Sequence, residues 1–391
     1  MSLKAGIYDP YLDTLGGGER YTLTVAEILS QHDYDVDIFW SGDKDIISKA
    51  SSRFSLDLSS INLVPDIFHV CPDSVDFVES SDQIKQVSLH HNTRSTSVTK
   101  AKEFLNKLQI SHQYDLFFYV TDGSLPFIFS KKNLLHFQVP FSHQFNPLQL
   151  SLNHLKLKQF SKIVCNSKFT KKIIDQNYHT QSEVLYPPVD VAKFFNNYPK
   201  ENIILSVGRF DNVLNAKKQD VLIDAFKLLP RDYFQSWKLV LMGGSLEDPS
   251  KNNYLKLLQQ QSAGFPIEFV VNPDFKQLQH VYGHSKIYWH AAGHEVDEDI
   301  HPETTEHFGM AVVEAMASGL VPIIVKKGGL PEIIHHQHNG YLWGNLSELT
   351  KFTSELINDS HKLSEMSNKA VKSSLSFSKE KFTENLMNLL K

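Results

Sequence analysis

The sequence predicts an α/β protein built on parallel β-sheets. Short apolar runs alternate with longer amphipathic segments along most of the 391 residues. Apolar and β-branched or aromatic side chains dominate most of these runs, as in parallel strands that are buried on both faces. With 41 % hydrophobic and 21 % charged residues, the composition is that of a globular protein, and the length allows two or three domains.

The first half of the chain begins with a strand at residues 4–8, and three glycines at 16–18 separate it from a helix over 19–31. The strand is a short apolar run, whereas the helix has apolar side chains at helical spacing. Strands that alternate with helices in this way favour a parallel sheet. Further strands are predicted at 36–40, 86–89, 116–120, 133–137 and 162–165, and a further helix at 168–176.

A segment with two prolines, YPPVD at 186–190, then interrupts the pattern and is the best linker candidate. After it, strands are predicted at 203–207, 237–242, 267–271, 286–290 and 321–325, and helices at 220–229, 275–284 and 309–318. We therefore predict two α/β domains, at 1–190 and 191–376, and a final amphipathic helix in 377–391.

The composition excludes several classes of protein. The formal net charge is −5, whereas a general nucleic-acid binder usually has a basic excess. Cys71 and Cys165 are too few for a disulfide scaffold, and a reducing cytoplasm is the expected location. Asp9 and Pro10 come before any apolar run, so no secretory signal is expected, and no run of about 18 apolar residues would span a membrane.

The 19 histidines raise the question of a metal site. His280 and His284 have the i, i+4 spacing of metal ligands, but no third ligand is evident. The acidic segment DED at 297–299 is similar to motifs that hold Mn²⁺ and a diphosphate, although a solvated turn accounts for it better. We therefore predict no metal.

Two features of the first half are candidates for ligand binding. Gly16, Gly17 and Gly18 lie between a strand and a helix, where backbone N–H groups favour phosphate; a tight turn is the alternative. The dinucleotide pattern G-x-G-x-x-G is absent. His136 ends a predicted strand, which places its imidazole at the carboxyl edge of the sheet; a core histidine is the alternative.

Cationic and glycine-rich segments follow strands of the second half. Arg209 ends the first of these strands, and Lys217 and Lys218 precede the next helix. A guanidinium and an ammonium that meet at this edge could neutralise a diphosphate, although solvated surface cations are the simpler explanation. The segment GGLPE at 328–332 follows a later strand and is either a second cradle of N–H groups or a bare turn.

Two glutamates flank a predicted helix start. Glu306 and Glu314 are eight residues apart, a little over two helical turns, and therefore lie near one face. Between them, Phe308, Gly309 and Met310 supply N–H groups that favour an anion. Carboxylates accept strong hydrogen bonds from sugar hydroxyls, although exposed glutamates at this spacing are common.

Taken in series, these residues resemble the retaining GT-B glycosyltransferases of family GT4. The motifs occur in the order of that family across nearly the whole chain, and the series is specific although each motif is modest. They are GGER at 17–20, LH at 135–136 ahead of Pro140, CNSKF at 165–169, YPPVD at 186–190, GRF at 208–210 with Lys217, MGG at 242–244, the pair Glu306 and Glu314, and GGLPE at 328–332.

The resemblance implies a GT-B architecture, in which two Rossmann-like domains face a central cleft and the last helix crosses back to the first domain. It implies that Arg209 and Lys217 neutralise the diphosphate of a nucleotide-sugar donor, that Glu306 holds a sugar hydroxyl, and that Glu314 holds the ribose. It implies catalytic roles for His136, Arg209, Lys217 and Glu306, and donor-binding roles for Gly16, Gly17, Gly18, Phe308, Gly309, Met310 and Glu314.

The implied reaction moves a hexose, with retention and without a metal or other cofactor, to a saccharide or lipid-linked acceptor in polysaccharide or glycoconjugate synthesis. UDP-hexose, such as UDP-glucose, is the expected donor, and GDP-mannose is the alternative. A protein that binds nucleotide sugars without turnover is an alternative of another class. The long acidic loop at 293–305 departs from the family pattern, and we expect it to border the donor sugar or the acceptor.

A basic, partly amphipathic stretch in the first half indicates peripheral contact with the inner face of a membrane. Interleaved lysines and apolar side chains are typical of surfaces that meet anionic lipid, and a solvated helical face is the alternative. The lysines are Lys156, Lys158, Lys162, Lys168, Lys171 and Lys172, and the apolar residues are Leu155, Leu157, Phe160 and Ile163.

Overall fold

The computed structural model describes residues 2–68, 97–142, 145–194, 197–211, 217–245, 249 and 251–391. The chain packs into two compact units. The first comprises Met1–Leu135 and Ser151–Ser161, and the second comprises His136–Leu150 and Lys162–Lys391. The domains predicted at 1–190 and 191–376 divide the chain by sequence pattern, and they stay a prediction.

A seven-stranded sheet is formed by the first half of the chain, in the order β3-β2-β1-β4-β5-β6-β7. The pairs of β1 with β2 and of β1 with β4 are parallel, and all five side chains of β4 are buried. Its strands are β1 (Leu3–Tyr8), β2 (Tyr34–Phe39), β3 (Asn62–Val64), β4 (Leu116–Val120), β5 (Lys132–Phe137), β6 (Lys162–Cys165) and β7 (Glu183–Val184). The helices of this half are α1 (Gly17–Gln31), α2 (Ile46–Phe54), α3 (Ser97–Ser111), α4 (Pro147–Leu157) and α5 (Lys168–Tyr178).

A six-stranded sheet follows, in the order β10-β9-β8-β11-β12-β13, and every neighbouring pair is parallel. Its strands are β8 (Ile203–Val207), β9 (Lys238–Gly243), β10 (Ile267–Val271), β11 (Ile287–His290), β12 (Val321–Val325) and β13 (Tyr341–Trp343). The helices are α6 (Gln219–Lys227), α7 (Asn253–Gln261), α8 (Phe275–His284), α9 (Met310–Ala317), α10 (Leu346–Asn358), α11 (Ser360–Ser374) and α12 (Lys379–Leu390).

The second sheet determines where the candidate site lies. Parallel strands bring their carboxyl ends to one edge of a sheet, and ligands of such sheets bind beyond that edge. The segment after β8 contains Arg209 and Lys217, and the segment after β11 contains Glu306 and the start of α9. The segment after β12 contains the glycine pair at 328–329. Three segments that are distant in sequence therefore meet at one edge.

Most predicted elements are confirmed, and several agree residue for residue, among them β6, β8, β10, β12 and α8. The edge strands β3 and β13 were not predicted, because three residues carry too little pattern. Also not predicted were the two-residue strand β7 and the helices α2, α3, α4, α7, α10 and α11, because polar side chains interrupt the apolar spacing of these segments. The strand predicted at 86–89 and Cys71 lie outside the described residues, whereas Cys165 is a buried free thiol.

The predicted linker at 186–190 is held by backbone pairing. Val189 N–H donates to the carbonyl of Phe377 at 3.0 Å, and Lys379 N–H donates to the carbonyl of Val189 at 3.1 Å. These bonds tie the segment to the start of α12, whose Phe382 and Leu386 are buried. The segment lies between the last strand of the first sheet and the first strand of the second, as expected of a linker, and these bonds anchor it.

Candidate functional site

Lys217 and Glu306 form an ion pair at the carboxyl edge of the second sheet. Lys217 Nζ lies 2.6 Å from Glu306 Oε2, although the two residues are 89 positions apart. Gly208, at the end of β8, makes room for the lysine, since a Cβ there would lie 2.4 Å from Lys217 Cγ. The glycine of the GRF motif thus allows close approach of the cation, and the two residues predicted to meet the donor meet each other.

His290, the last residue of β11, is the third member of this cluster. Its Nε2 lies 3.2 Å from Glu306 Oε2, and its Nδ1 lies 3.3 Å from the backbone nitrogen of Ala292. The imidazole is buried. Sequence reasoning missed this residue, although the signal that singled out His136, a histidine at the end of an apolar strand, is equally present at His290.

The environment of Glu306 keeps its carboxyl group ionised. Burial alone would raise the pKa of Glu306, but the charge of Lys217 and the hydrogen bond from His290 outweigh it, so this pKa lies well below its usual range. The carboxylate is 18 % exposed, which leaves it accessible to a ligand. An ionised and accessible carboxylate is a strong acceptor for a hydroxyl group.

Unpaired backbone N–H groups lie next to the carboxylate. The N–H groups of Phe308, Gly309 and Met310 donate no hydrogen bond to any of the described residues. Gly309 has a φ of 107°, which favours glycine, and it caps α9 without a side-chain partner. The first turn of α9 therefore offers N–H groups and the positive end of a helix to an anion, as predicted from the sequence.

Glu314 lies one turn further along α9 and is buried. Its Oε2 accepts a hydrogen bond from the hydroxyl of Tyr282 at 3.2 Å, and the same hydroxyl is 3.2 Å from the carbonyl oxygen of Ala311. Tyr282 is completely buried in α8. The tyrosine fixes the carboxylate of Glu314, and the predicted contact of Glu314 with a ribose stays a prediction.

Arg209 is more exposed than the lysine. Its side chain is 43 % exposed, and its Nε lies 3.4 Å from Asp211 Oδ2. Gln219 holds the backbone here, since its Nε2 donates to the carbonyl of Arg209 at 2.9 Å. The guanidinium has an exchangeable partner at the surface and can turn to another anion without a large cost in burial.

Of the two alternatives for 328–332, an N–H cradle or a bare turn, the hydrogen bonds of its two glycines support the turn. Gly328 N–H donates to Glu298 Oε2 at 2.8 Å, and Gly329 N–H donates to the carbonyl of Glu306 at 2.8 Å. Gly329 packs directly against the backbone that follows Glu306. A Cβ at this position would lie 2.0 Å from the carbonyl oxygen of His307, so only glycine fits there. Glu298, in the acidic loop at 293–305, holds the neighbouring Gly328 through its carboxylate.

His136 is completely buried in the second compact unit. Burial lowers its pKa to about 3, so its imidazole is neutral, and the imidazole lies near the backbone of Val164. Two residues on, the backbone of Gln138 contacts the imidazole of His307, which also lies 3.1 Å from the carbonyl oxygen of Glu303. The end of β5 is thus linked to the Glu306 segment, and the catalytic role of His136 stays a prediction.

Gly16, Gly17 and Gly18 lie at the start of α1, in the first compact unit. Glu19 Oε2 accepts the N–H of Gly16 at 2.5 Å, so one of the three N–H groups is occupied by the chain itself. Gly17 is exposed. The expected contact of these glycines with a diphosphate stays a prediction.

The acidic and histidine-rich segments form local hydrogen bonds. Asp297 Oδ1 accepts the N–H of Asp299 at 3.1 Å, as in a solvated turn. His284 Nδ1 lies 2.8 Å from the carbonyl oxygen of His280, one helical turn earlier. Within the part of the chain that the structure describes, no three His, Cys, Asp or Glu side chains are grouped as a metal ion would require.

The predicted basic surface differs from the structure in its apolar part. Leu157, Phe160 and Ile163 are buried, because they pack into the interior, and only Leu155 is exposed. Lys162 pairs with Glu183 and Lys171 with Asp175, each at 2.5 Å, which lowers the positive charge. None of the described helices combines the length and the hydropathy that crossing a bilayer takes.

Comparison with known families agrees with this geometry. Residues 190–373 match the family model described as glycosyl transferases group 1. Residues 190–373 therefore have the sequence of a group 1 glycosyl transferase domain. The match includes Arg209, Lys217, His290, Glu306 and Glu314, and it confirms both the predicted resemblance and the coarser prediction of a glycosyltransferase.

Two of the relatives with similar sequences match this chain over 99 % or more of its length. It is 24 % identical to a GDP-Man:Man(3)GlcNAc(2)-PP-Dol alpha-1,2-mannosyltransferase of Dictyostelium discoideum, with 100 % of this chain and 84 % of that protein covered. It is 24 % identical to an uncharacterized glycosyltransferase of Haemophilus influenzae over 99 % of both chains. A human protein named like the Dictyostelium relative is 30 % identical over 45 % of this chain and 36 % of its own length.

Solved structures confirm the predicted GT-B fold class. HepE of Anabaena, in complex with UDP and glucose, has a TM-score of 0.65 at 16 % identity, with 99 % of both chains covered. A glycosyltransferase of Rickettsia africae has a TM-score of 0.71 at 17 % identity, with 100 % of this chain and 99 % of that chain covered. At such identities the likeness concerns the fold alone.

Proposed function

We propose that the chain is a retaining glycosyltransferase that moves mannose from GDP-mannose to a lipid-linked saccharide. The observation that carries the proposal is the cluster at the carboxyl edge of the second sheet. There, Lys217 lies 2.6 Å from an ionised Glu306, which precedes the N–H groups at the start of α9 that donate to none of the described residues. A cation and N–H donors bind the diphosphate of a nucleotide sugar, and a carboxylate accepts hydrogen bonds from its sugar hydroxyls.

In the proposed reaction, the bond between C1 of the sugar and the phosphate oxygen breaks, and the acceptor hydroxyl forms its bond to C1 on the same face. The proton of the acceptor passes to the departing phosphate. Negative charge grows on the nucleoside diphosphate, where Lys217 and the N–H groups of Gly309 and Met310 stabilise it. Arg209 exchanges Asp211 for the diphosphate, and Glu306 accepts a hydroxyl of the sugar.

The choice of donor departs from the expectation of a UDP-hexose. The Dictyostelium relative, which matches this chain from end to end, has GDP-Man in its name, as does the human relative. Those names support the GDP-mannose alternative better than UDP-glucose. The same names contain PP-Dol, which supports a lipid-linked acceptor for this chain over a free polysaccharide.

Thermal unfolding with added nucleotides tests the donor. We expect millimolar GDP to raise the Tm more than UDP, ADP or NAD does, since a ligand at 100 times its Kd adds about 2.7 kcal/mol. Transfer of ¹³C-labelled mannose from GDP-mannose to a lipid-linked saccharide, followed by NMR of the new anomeric carbon, then tests turnover and retention. A Tm shift with UDP alone would return the donor to UDP-hexose.

The variant Lys217→Ala tests whether this site binds the donor. It removes the ammonium that faces the diphosphate, and we expect loss of most of the GDP-dependent Tm shift and of turnover. Lys238→Ala is the matched control, because it removes a lysine from a comparable pair with Glu268 at the opposite end of β9. GDP stabilisation without transfer to any acceptor would favour a protein that binds nucleotide sugars without turnover.

A further inference from the structure

The hydrogen bonds of Glu306 end on one of its two oxygens. Lys217 Nζ and His290 Nε2 both bond Oε2, at 2.6 and 3.2 Å. Oε1 accepts no hydrogen bond from any residue in the described part of the chain. The carboxylate is therefore asymmetric: one oxygen is held by the protein, and the other remains for a ligand.

The backbone determines which nitrogen of His290 carries the proton. The N–H of Ala292 points to Nδ1 at 3.3 Å, so Nδ1 accepts and carries no proton. The neutral ring then has its proton on Nε2, where it donates to Glu306. The backbone N–H of Ala292 thus donates to the imidazole of His290, and the imidazole donates in turn to the carboxylate of Glu306.

His290 and Lys217 hold the carboxylate in different ways. The imidazole is buried at the end of β11, in a strand paired on both sides, so its position is fixed by the sheet. The ammonium ends a flexible stem with several rotamers, and it attracts either oxygen equally well. The directional bond from His290 is what selects Oε2 and keeps Lys217 from bridging both oxygens.

We propose that His290 is a positioning residue, which turns Glu306 so that Oε1 faces the donor sugar while Lys217 keeps donors for the diphosphate. This inference rests on the proposed function, since it assigns the hydroxyl contact of Glu306 to one oxygen. Without the bond from His290, the carboxylate rotates toward Lys217 and Oε1 loses its alignment with the sugar hydroxyl, whereas the ammonium stays beside the diphosphate.

Two substitutions of His290 separate its hydrogen bond with the Ala292 N–H from its hydrogen bond with Glu306. In His290→Asn the amide oxygen lies where Nδ1 was and still accepts the N–H of Ala292, but the side chain is too short to reach Glu306. In His290→Gln the amide nitrogen lies where Nε2 was and still donates to Glu306. Both variants are polar and similar in size, so folding is matched, and a Tm measurement verifies this.

We expect the substitutions to affect the affinity for GDP much less than the catalytic efficiency with GDP-mannose. GDP affinity stays within about twofold in both variants, whereas kcat/KM for GDP-mannose falls about 10- to 100-fold in His290→Asn and is largely retained in His290→Gln. Equal activity of the two variants, or an equal loss of GDP affinity and kcat/KM in His290→Asn, would overturn the proposal.

Nitrogen-15 NMR of the histidines decides the same point without turnover. The signals of His290, assigned by their loss in His290→Asn, are expected to show protonated Nε2 and unprotonated Nδ1 at pH 7.5. A ring protonated on Nδ1 or on both nitrogens contradicts the proposal. If the wild-type protein transfers no sugar at all, the proposed function fails, and the NMR result still decides whether His290 orients Glu306.

Discussion

Single residues show how the fold shifts the pKa values of two carboxyl groups in opposite directions. Beside Lys217 and His290, the pKa of Glu306 lies well below its usual range. Asp9, at the end of β1, is buried beside Glu19, and burial together with that neighbour raises its pKa to about 7. Its Oδ1 accepts the N–H of Tyr11 at 3.0 Å. A cation and an imidazole stabilise the first charge, whereas burial beside another carboxyl group opposes the second.

The raised pKa of Asp9 predicts a pH-dependent stability. The folded chain holds a proton on Asp9 up to about pH 7, whereas the unfolded chain loses it near the ordinary aspartate pKa of 3.8. The free energy of unfolding therefore falls as the pH rises between these values, because the folded state binds more protons there. Asp9→Asn removes this contribution and keeps the acceptor for Tyr11.

Urea unfolding of wild type and Asp9→Asn at pH 5 and pH 8 measures this effect. We expect the wild type to lose on the order of 2–3 kcal/mol more than the variant between the two pH values. Parallel behaviour of the two proteins would show that Asp9 ionises normally in the fold. Asp57→Asn, at an exposed carboxyl group, is the control for general charge effects.

At the scale of elements, Glu332 binds the start of α5. Its Oε1 accepts the N–H of Phe169 at 2.7 Å, and its Oε2 accepts the N–H of Lys168 at 2.8 Å and the hydroxyl of Tyr186 at 2.9 Å. The carboxylate thereby satisfies two N–H groups at the positive end of the helix. Three sequence motifs, GGLPE, CNSKF and YPPVD, meet at one side chain.

Glu332→Gln is expected to destabilise the fold by about 1–3 kcal/mol, since it removes the charge and leaves one N–H group unpaired. Tyr186→Phe removes one bond to the same carboxylate but keeps the ring against Phe308, and its expected cost is about 1 kcal/mol. Urea midpoints with unchanged m-values measure both. A larger loss in Tyr186→Phe than in Glu332→Gln would contradict the capping role.

At the scale of the whole molecule, an exposed apolar stripe on α4 replaces the predicted mixed basic surface. Leu148 is 81 % exposed, and Leu152 and Leu155 follow it at helical spacing and are also exposed. The neighbouring Lys158 is exposed as well. An apolar stripe beside a cation suits the interface of an anionic membrane, where a lipid-linked acceptor would be found.

A vesicle assay measures this contact. We expect the protein to sediment with vesicles that contain phosphatidylglycerol at low salt, and Leu148→Glu combined with Leu152→Glu to reduce the bound fraction several-fold, since each change places a charge on the apolar face. Leu257→Glu, at an exposed position on α7, is the matched control. Equal binding of the two variants would exclude the α4 stripe as the contact.

The sequence by itself determined the fold class, most strands and helices, and the residue types of the candidate site. Buried parallel strands are mostly apolar runs, and the helices α1 and α9 begin directly after glycines, so these features are visible in a few consecutive residues. This is why β8, β10 and β12 were predicted residue for residue. The family resemblance then gave Lys217 and Glu306 their expected roles.

Only the tertiary structure decided which of these groups are partners. Lys217 and Glu306 are 89 positions apart, and Glu332 is 163 positions from Phe169, so no local period encodes either contact. The same holds for Glu298, which accepts the N–H of Gly328 from 30 positions away. Sheet pairing brings these segments to one edge, and the hydrogen bonds there depend on distances of a few ångströms that the sequence does not contain.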